Sequence, residues 1–166
     1  MFNLILRSVL VLIVSFSSES LAQNKLSSEE KLYLKKIADT IDRSILTKGG
    51  SWRMKNKKSL GNIAESDWEW GDKQISVTIL HYNSVAEATK GLQAAISPSM
   101  GKVSKENGLG DEGYIWRMST TKGETSAVKF RKANFLIFIS GGELGFGKKF
   151  AKIADESLTE NILQRK

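Results

Sequence analysis

The chain has 166 residues, 40% hydrophobic and 26% charged, with one Pro and no Cys. That is room for one domain whose core needs no covalent staples. Zero Cys excludes disulfides, thiolate metal sites and cysteine nucleophiles, and a single His excludes metal sites built on several histidines of one chain.

Residues 1–22 read as a secretory signal peptide. Arg7 precedes the apolar run Val9-Leu10-Val11-Leu12-Ile13-Val14, which continues to Phe16, and Ser20-Leu21-Ala22 supplies small residues for cleavage before Gln23. From Val9 to Phe16 the run falls far short of the roughly 20 residues of a spanning helix, so no transmembrane span is expected after cleavage. Residues 23–166 are then one exported domain, periplasmic or secreted. The signal carries one Arg and one Glu, so the formal +7 of the whole chain survives its removal. An exported basic protein is not expected to meet nucleic acid. Its charge suits an anionic polymer, a membrane surface or an acidic protein, and solubility alone explains it equally well.

Ser27 and Glu30 form a capping box, and Leu34, Ile37, Ile41 and Ile45 recur at helical spacing until Gly49-Gly50 ends the helix. Ser51 to Gly61 reads as a basic loop with Trp52, Arg53, Lys55, Lys57 and Lys58 and no acid. Trp70-Gly71-Asp72-Lys73 predicts a two-residue type II′ hairpin. In that register Trp68 faces Ile75, Ser66 faces Val77 and Ala64 faces Ile79. Trp68, Trp70, Ile75, Val77 and Ile79 then share one face, and Glu65, Asp67, Glu69, Gln74, Ser76 and Thr78 the other.

Ser84 and Glu87 predict a second capped helix that turns Val85, Ala88, Leu92, Ala95 and Ile96 inward and stops before Pro98. Residues 97–113 read as a long Gly-rich connection. Strands resume at Tyr114–Met118, and Val128–Arg131 and Phe135–Ile139 form a hairpin through Lys132-Ala133-Asn134. The run Phe135–Ile139 is apolar on both faces, as a central strand should be. A last helix buries Phe150, Ile153, Ala154, Leu158 and Ile162. The expected fold is α+β: one antiparallel sheet of about five strands with helices mainly on one face, in the order α-ββα-βββα.

The segment Gly108-Leu109-Gly110-Asp111-Glu112-Gly113-Tyr114, followed by Phe130-Arg131-Lys132-Ala133-Asn134 and an apolar strand, resembles a pattern in small exported bacterial α+β domains and lipoproteins of unknown function. The resemblance covers residues 75 to 163 and implies an exported α+β domain with no assigned reaction. This chain has Gly113 where the pattern has Ala, and Ala133 where it has Gly. The second departure bears on the turn type, because Ala resists φ > 0.

For chemistry the residues offer little. Asp111 and Glu112, with Gly108 and Gly110, are read as a structural loop, since adjacency does not place two carboxylates in one cleft. The Gly-x-Gly lacks the third glycine and the helix of a dinucleotide site. His81, two residues after Ile79, reads as a packed or rim residue. No nucleophile elbow stands at a strand-to-helix junction, and no metal or cofactor is expected. The leading functional expectation is a non-enzymatic exported binding module. Trp52 would stack on a ligand beside Arg53, Lys55, Lys57 and Lys58, with Lys129 and Arg131 adding to one basic surface; the competing reading, which is favoured, is a solvated loop with Trp52 tucked into the domain. The alternatives are a small hydrolase using Asp67, Glu69, Asp111 or Glu112, and a structural envelope protein.

Overall fold

A computed structural model describes residues 26–96, 102–120 and 123–164. The expected signal peptide lies outside these residues, as do Pro98 and Gly101 of the Gly-rich connection. In chain order the elements are α1 (Ser28–Lys48), β1 (Arg53–Leu60), β2 (Ile63–Trp70), β3 (Lys73–His81), α2 (Val85–Ala95), β4 (Lys102–Lys105), β5 (Glu112–Thr120), β6 (Gly123–Lys132), β7 (Phe135–Ser140) and α3 (Leu144–Leu163). All strands join one antiparallel sheet in the order β1-β2-β3-β7-β6-β5-β4. The protein is α+β, but with seven strands in place of about five.

Both added strands are the sheet's edges. β1 occupies the segment read as a basic loop, and β4 lies inside the Gly-rich connection. Neither has an apolar alternation to reveal it: in β1 only Met54 is even half-buried, and in β4 only Val103. Their pairing comes from the backbone. Gly61 at φ +61° turns the chain so that Leu60 opposes Ile63, and β1 then runs along β2 with a bulge between Met54 and Asn56.

Where one face is buried, the register follows the pattern of side chains. β2 and β3 pair Ala64 with Ile79, Ser66 with Val77, Trp68 with Ile75 and Trp70 with Lys73. Gly71 takes φ +61° while Asp72 stays at negative φ, the sign pattern of a type II′ turn. At the start of α1, Ser27 Oγ accepts from the Glu30 amide (3.2 Å), and Glu30 Oε2 accepts from the Ser27 amide (2.7 Å). At α2, Ser84 Oγ accepts from the Glu87 amide at 3.1 Å.

The sheet separates two apolar clusters. On one face Leu34, Ile37, Ile41 and Ile45 of α1 and Phe150, Ile153, Ala154 and Leu158 of α3 close over Trp68, Val77, Val128, Phe130, Ile137 and Ile139. The two helices run antiparallel: Lys149 Nζ reaches the Gly49 carbonyl, Ser157 the Ser44 hydroxyl, and Asn161 lies near Tyr33. On the other face Ala88 and Leu92 of α2 meet Leu80, Tyr82 and Leu136. Val85, expected inside, stays half exposed at the helix start.

Strand β7 is fourth of seven, with Phe135, Leu136, Ile137 and Ile139 all buried. Ile137 lies between Ile79 and Phe130 and exposes nothing. An unpaired carboxylate there costs several kcal/mol, comparable with the whole stability of a small domain. Ile137→Asp is therefore expected to abolish the cooperative thermal transition seen by circular dichroism. A wild-type midpoint in that variant would show the strand at the surface.

Candidate functional site

The basic segment becomes a strand whose charges are already partnered. Lys58 Nζ lies 2.9 Å from Glu65 Oε2 and Lys55 Nζ 3.6 Å from Glu69 Oε2, both across the β1–β2 ladder. Lys57 points to the helical layer, 2.6 Å from Asp39 Oδ1 and 2.5 Å from Asp42 Oδ2. Burial pulls the Lys57 ammonium down, but the hydrogen bonds to both aspartates outweigh it and hold its pKa above the ordinary value. Hydrogen bonds from Lys35 and Lys57 hold the Asp39 carboxyl below its own. Arg53 is exposed, in register with Glu69, and makes no ion pair among the described residues.

Trp52 is not available to a ligand. It is 3% exposed and its ring meets Phe150, Phe146 and Trp70 edge-on at 5.2, 5.6 and 6.1 Å. It precedes β1 in the chain, and the aromatic stack holds it in the core, which agrees with the reading that tucks it into the domain and not with ligand stacking. Lys129 and Arg131 do not extend the β1 surface either, because β6 is separated from β1 by β2, β3 and β7. The Lys129 ammonium is buried beneath the end of α2. It donates to the Ala95 carbonyl at 2.5 Å and lies 5.7 Å from the ring centres of Trp116 and Phe138. With no carboxylate bonded to it among the described residues, burial pushes its pKa down to about 8.

Arg131 belongs to a different arrangement. Its Nη1 donates to Asp111 Oδ2 (2.8 Å) and to the Ala133 carbonyl (3.0 Å), and the Ala133 amide donates to the same Asp111 oxygen (2.8 Å). The Asp111 amide in turn donates to the Arg131 carbonyl. The loop from Gly108 thus clamps the β6–β7 turn, which joins the two segments of the pattern noted in the sequence. At Gly110, φ +60°, a Cβ would sit 2.4 Å from the Arg131 carbonyl oxygen, so the clamp needs glycine there. Ala133 adopts φ +50° despite its side chain, with Asp111 and Arg131 holding the turn around it. Glu112 accepts from the Tyr114 hydroxyl and from Gln93 of α2.

These positions keep the four carboxylates of the hydrolase alternative apart. Asp67 and Glu69 lie on β2, Asp111 and Glu112 at the start of β5, with β3, β7 and β6 between them. Four ladder steps of ~4.8 Å separate the pairs by about 19 Å. Asp67 accepts from Ser76 at 2.6 Å, Glu69 faces Lys55, and Asp111 holds the turn. His81 is buried, its ring 4.6 Å from that of Phe135, with Asn134 Nδ2 2.9 Å from Nε2.

A different corner gathers an exposed ring and a cation. Trp70, at the β2 end of the hairpin, is 43% exposed while Trp52 and Phe146 hold its ring at 6.1 and 5.6 Å. Lys73 Nζ lies 5.4 Å from the Trp70 ring centre and 4.7 Å from that of Phe146, and 2.8 Å from Glu143 Oε1. Arg53 opens the neighbouring strand β1, but in register with Glu69 it lies on the face of the sheet opposite Trp70. Sequence reasoning paired Trp70 with Lys73 but placed the indole on the buried face. What it missed is that the hairpin tip runs past the helical layer, so the last ring of the stack stays in solvent. Comparison with protein-family models and with curated protein sequences finds no match for the chain.

Two consequences follow for stability. A left-handed conformation costs an L-residue about 1–2 kcal/mol, and glycine returns part of that gain as lost chain entropy. Ala133→Gly is therefore expected to raise the urea midpoint, by up to about 1 kcal/mol of stability; a lowered midpoint would contradict the strained turn. For Lys129, the folded state holds fewer protons than the unfolded between pH 8 and the ordinary 10.5. Stability then rises with pH across that window, by at most about 1.4 kcal/mol per unit. Lys129→Met is expected to flatten the rise and to be at least as stable as wild type at pH 7, read from denaturation curves at both ends of the window.

Proposed function

We propose that the chain is an exported, non-enzymatic binding module for an anionic polymer of the cell envelope, and that the Trp70 corner receives it. The observation that carries this reading is the solvent-open Trp70 ring, held by Trp52 and Phe146 and flanked by Lys73. A rigid aromatic face offers contact area at little entropic cost, and the apolar face of a sugar ring suits it. Lys73 supplies the charge. Lys73 already holds one carboxylate, that of Glu143, whose side chain is 70% exposed. An acidic group on the polymer replaces Glu143 there without leaving a buried charge unpaired.

The β1 lysines contribute less than their number suggests, because Lys55, Lys57 and Lys58 each face an acid of the same domain. The reading of residues 1–22 as a signal peptide and the resemblance to exported domains support the location. A uronic-acid polymer such as polygalacturonate is the probe. Binding is expected to change tryptophan fluorescence and to weaken steeply with salt. Trp70→Ala is expected to raise Kd about tenfold, the loss of one good stacking contact. Binding that is unchanged in Trp70→Ala, or that ignores salt, would remove this corner as the site.

A further inference from the structure

We propose that Asn107 is a site of spontaneous deamidation, and that its iso-linked product loosens the clamp on the β6–β7 turn. Of the chain's asparagines, Asn107 alone is followed by glycine. The pair lies at the tip of the connection between β4 and β5, and both residues are exposed. Gly108 stands at φ +78°, with no atom within 4 Å of where a Cβ would be. No hydrogen bond among the described residues holds the Asn107 carboxamide or the Gly108 amide. Asn62, Asn134 and Asn161 differ, because each precedes a bulky residue and donates from its carboxamide to a backbone carbonyl.

Water is the only co-reactant. The Gly108 amide nitrogen gives up its proton to base and attacks Cγ of Asn107. The N–Cγ bond forms, the Cγ–Nδ2 bond breaks, and ammonia leaves with a proton taken back from solvent. A five-membered succinimide ring results. A following residue without a Cβ leaves the attacking nitrogen open and lets φ adjust as the ring closes. Water then opens the ring at one of its two carbonyls. Breaking the N–Cγ bond gives an ordinary aspartate. Breaking the bond from nitrogen to the main-chain carbonyl carbon gives isoaspartate, whose chain runs through Cβ and Cγ. Only the second product lengthens the main chain, by one atom or ~1.5 Å. The neighbours leave no slack for it. On one side the Glu106 amide donates to the Gly113 carbonyl at 2.9 Å, and Glu106 Oε1 accepts from Lys148 at 2.8 Å. On the other side Leu109 is buried in the core, and Gly110 packs against the Arg131 carbonyl that the Asp111 amide bonds.

The test is incubation of the purified protein in mildly alkaline buffer beside a free peptide of residues 103–111, followed by peptide mapping with mass spectrometry. Electron-transfer fragmentation tells isoaspartate from aspartate, and ion exchange separates the modified forms of the intact protein. Asn107 is expected to convert before every other asparagine of the folded chain, to both products. The isoaspartate form is expected to melt below the unmodified protein. The aspartate form, matched by the variant Asn107→Asp, is expected to keep the wild-type midpoint. Asn107→Gln would have to close a six-membered ring, so it is expected to show no conversion there over the same incubation. Position 107 is exposed, and an unchanged midpoint checks that this variant folds. The proposal is overturned if the protein keeps Asn107 intact once the peptide has fully converted, if another asparagine converts first, or if the isoaspartate form melts with the unmodified protein.

Discussion

Burial of β7 on both of its faces ties the two halves of the molecule together. Phe135, Ile137 and Ile139 belong to the cluster under α1 and α3, while Leu136 of the same strand belongs to the cluster under α2. The strand joins β3 to β6, so the β1–β2–β3 meander and the β4–β5–β6 meander meet only through its ladders. Its long-range pairing with β3 is backed by His81 and Tyr82, whose backbone and side chain meet Asn134 in the turn just ahead of β7. That turn is the one clamped by Asp111. The Asp111 loop thereby fixes where the central strand begins, and the Gly-rich pattern acquires a structural reason.

The net charge has a similarly local account. Edge strands present unpaired backbone groups that invite other chains, and lysine on an edge strand discourages such pairing. β1 carries Lys55, Lys57 and Lys58, and β4 carries Lys102 and Lys105, so both open edges of this sheet are lysine-bearing. The bulge in β1 breaks its edge further. Exposed ion pairs such as Lys58–Glu65 add little to stability. Their effect is to leave the edge charged yet to cancel most of its field, which is why a run of cations in the sequence does not become a basic patch in the fold. The Lys57 pair with Asp39 and Asp42 differs, because it ties β1 to α1.

What the sequence discloses depends on whether a residue's neighbours are also its neighbours in the chain. The β2–β3 hairpin was legible to the residue, since alternation and a Gly-led turn both specify one register. The capping boxes were legible for the same reason, all partners lying within three residues. β1 and β4 were not, because an edge strand exposed on both faces has no periodic signature; Gly61-Asn62 was the one local hint. That Trp52 is tucked into the domain is readable as one of two alternatives, but what buries it is not, because the rings of Phe146 and Phe150 come from α3, nearly a hundred residues on. Lys129 looks like one more surface cation until α2 is laid over it. Ala133 shows the limit from the other direction. A local rule against φ > 0 is overridden by hydrogen bonds that Ala133 donates to Asp111 and accepts from Arg131, the first of them invisible to a short-range reading.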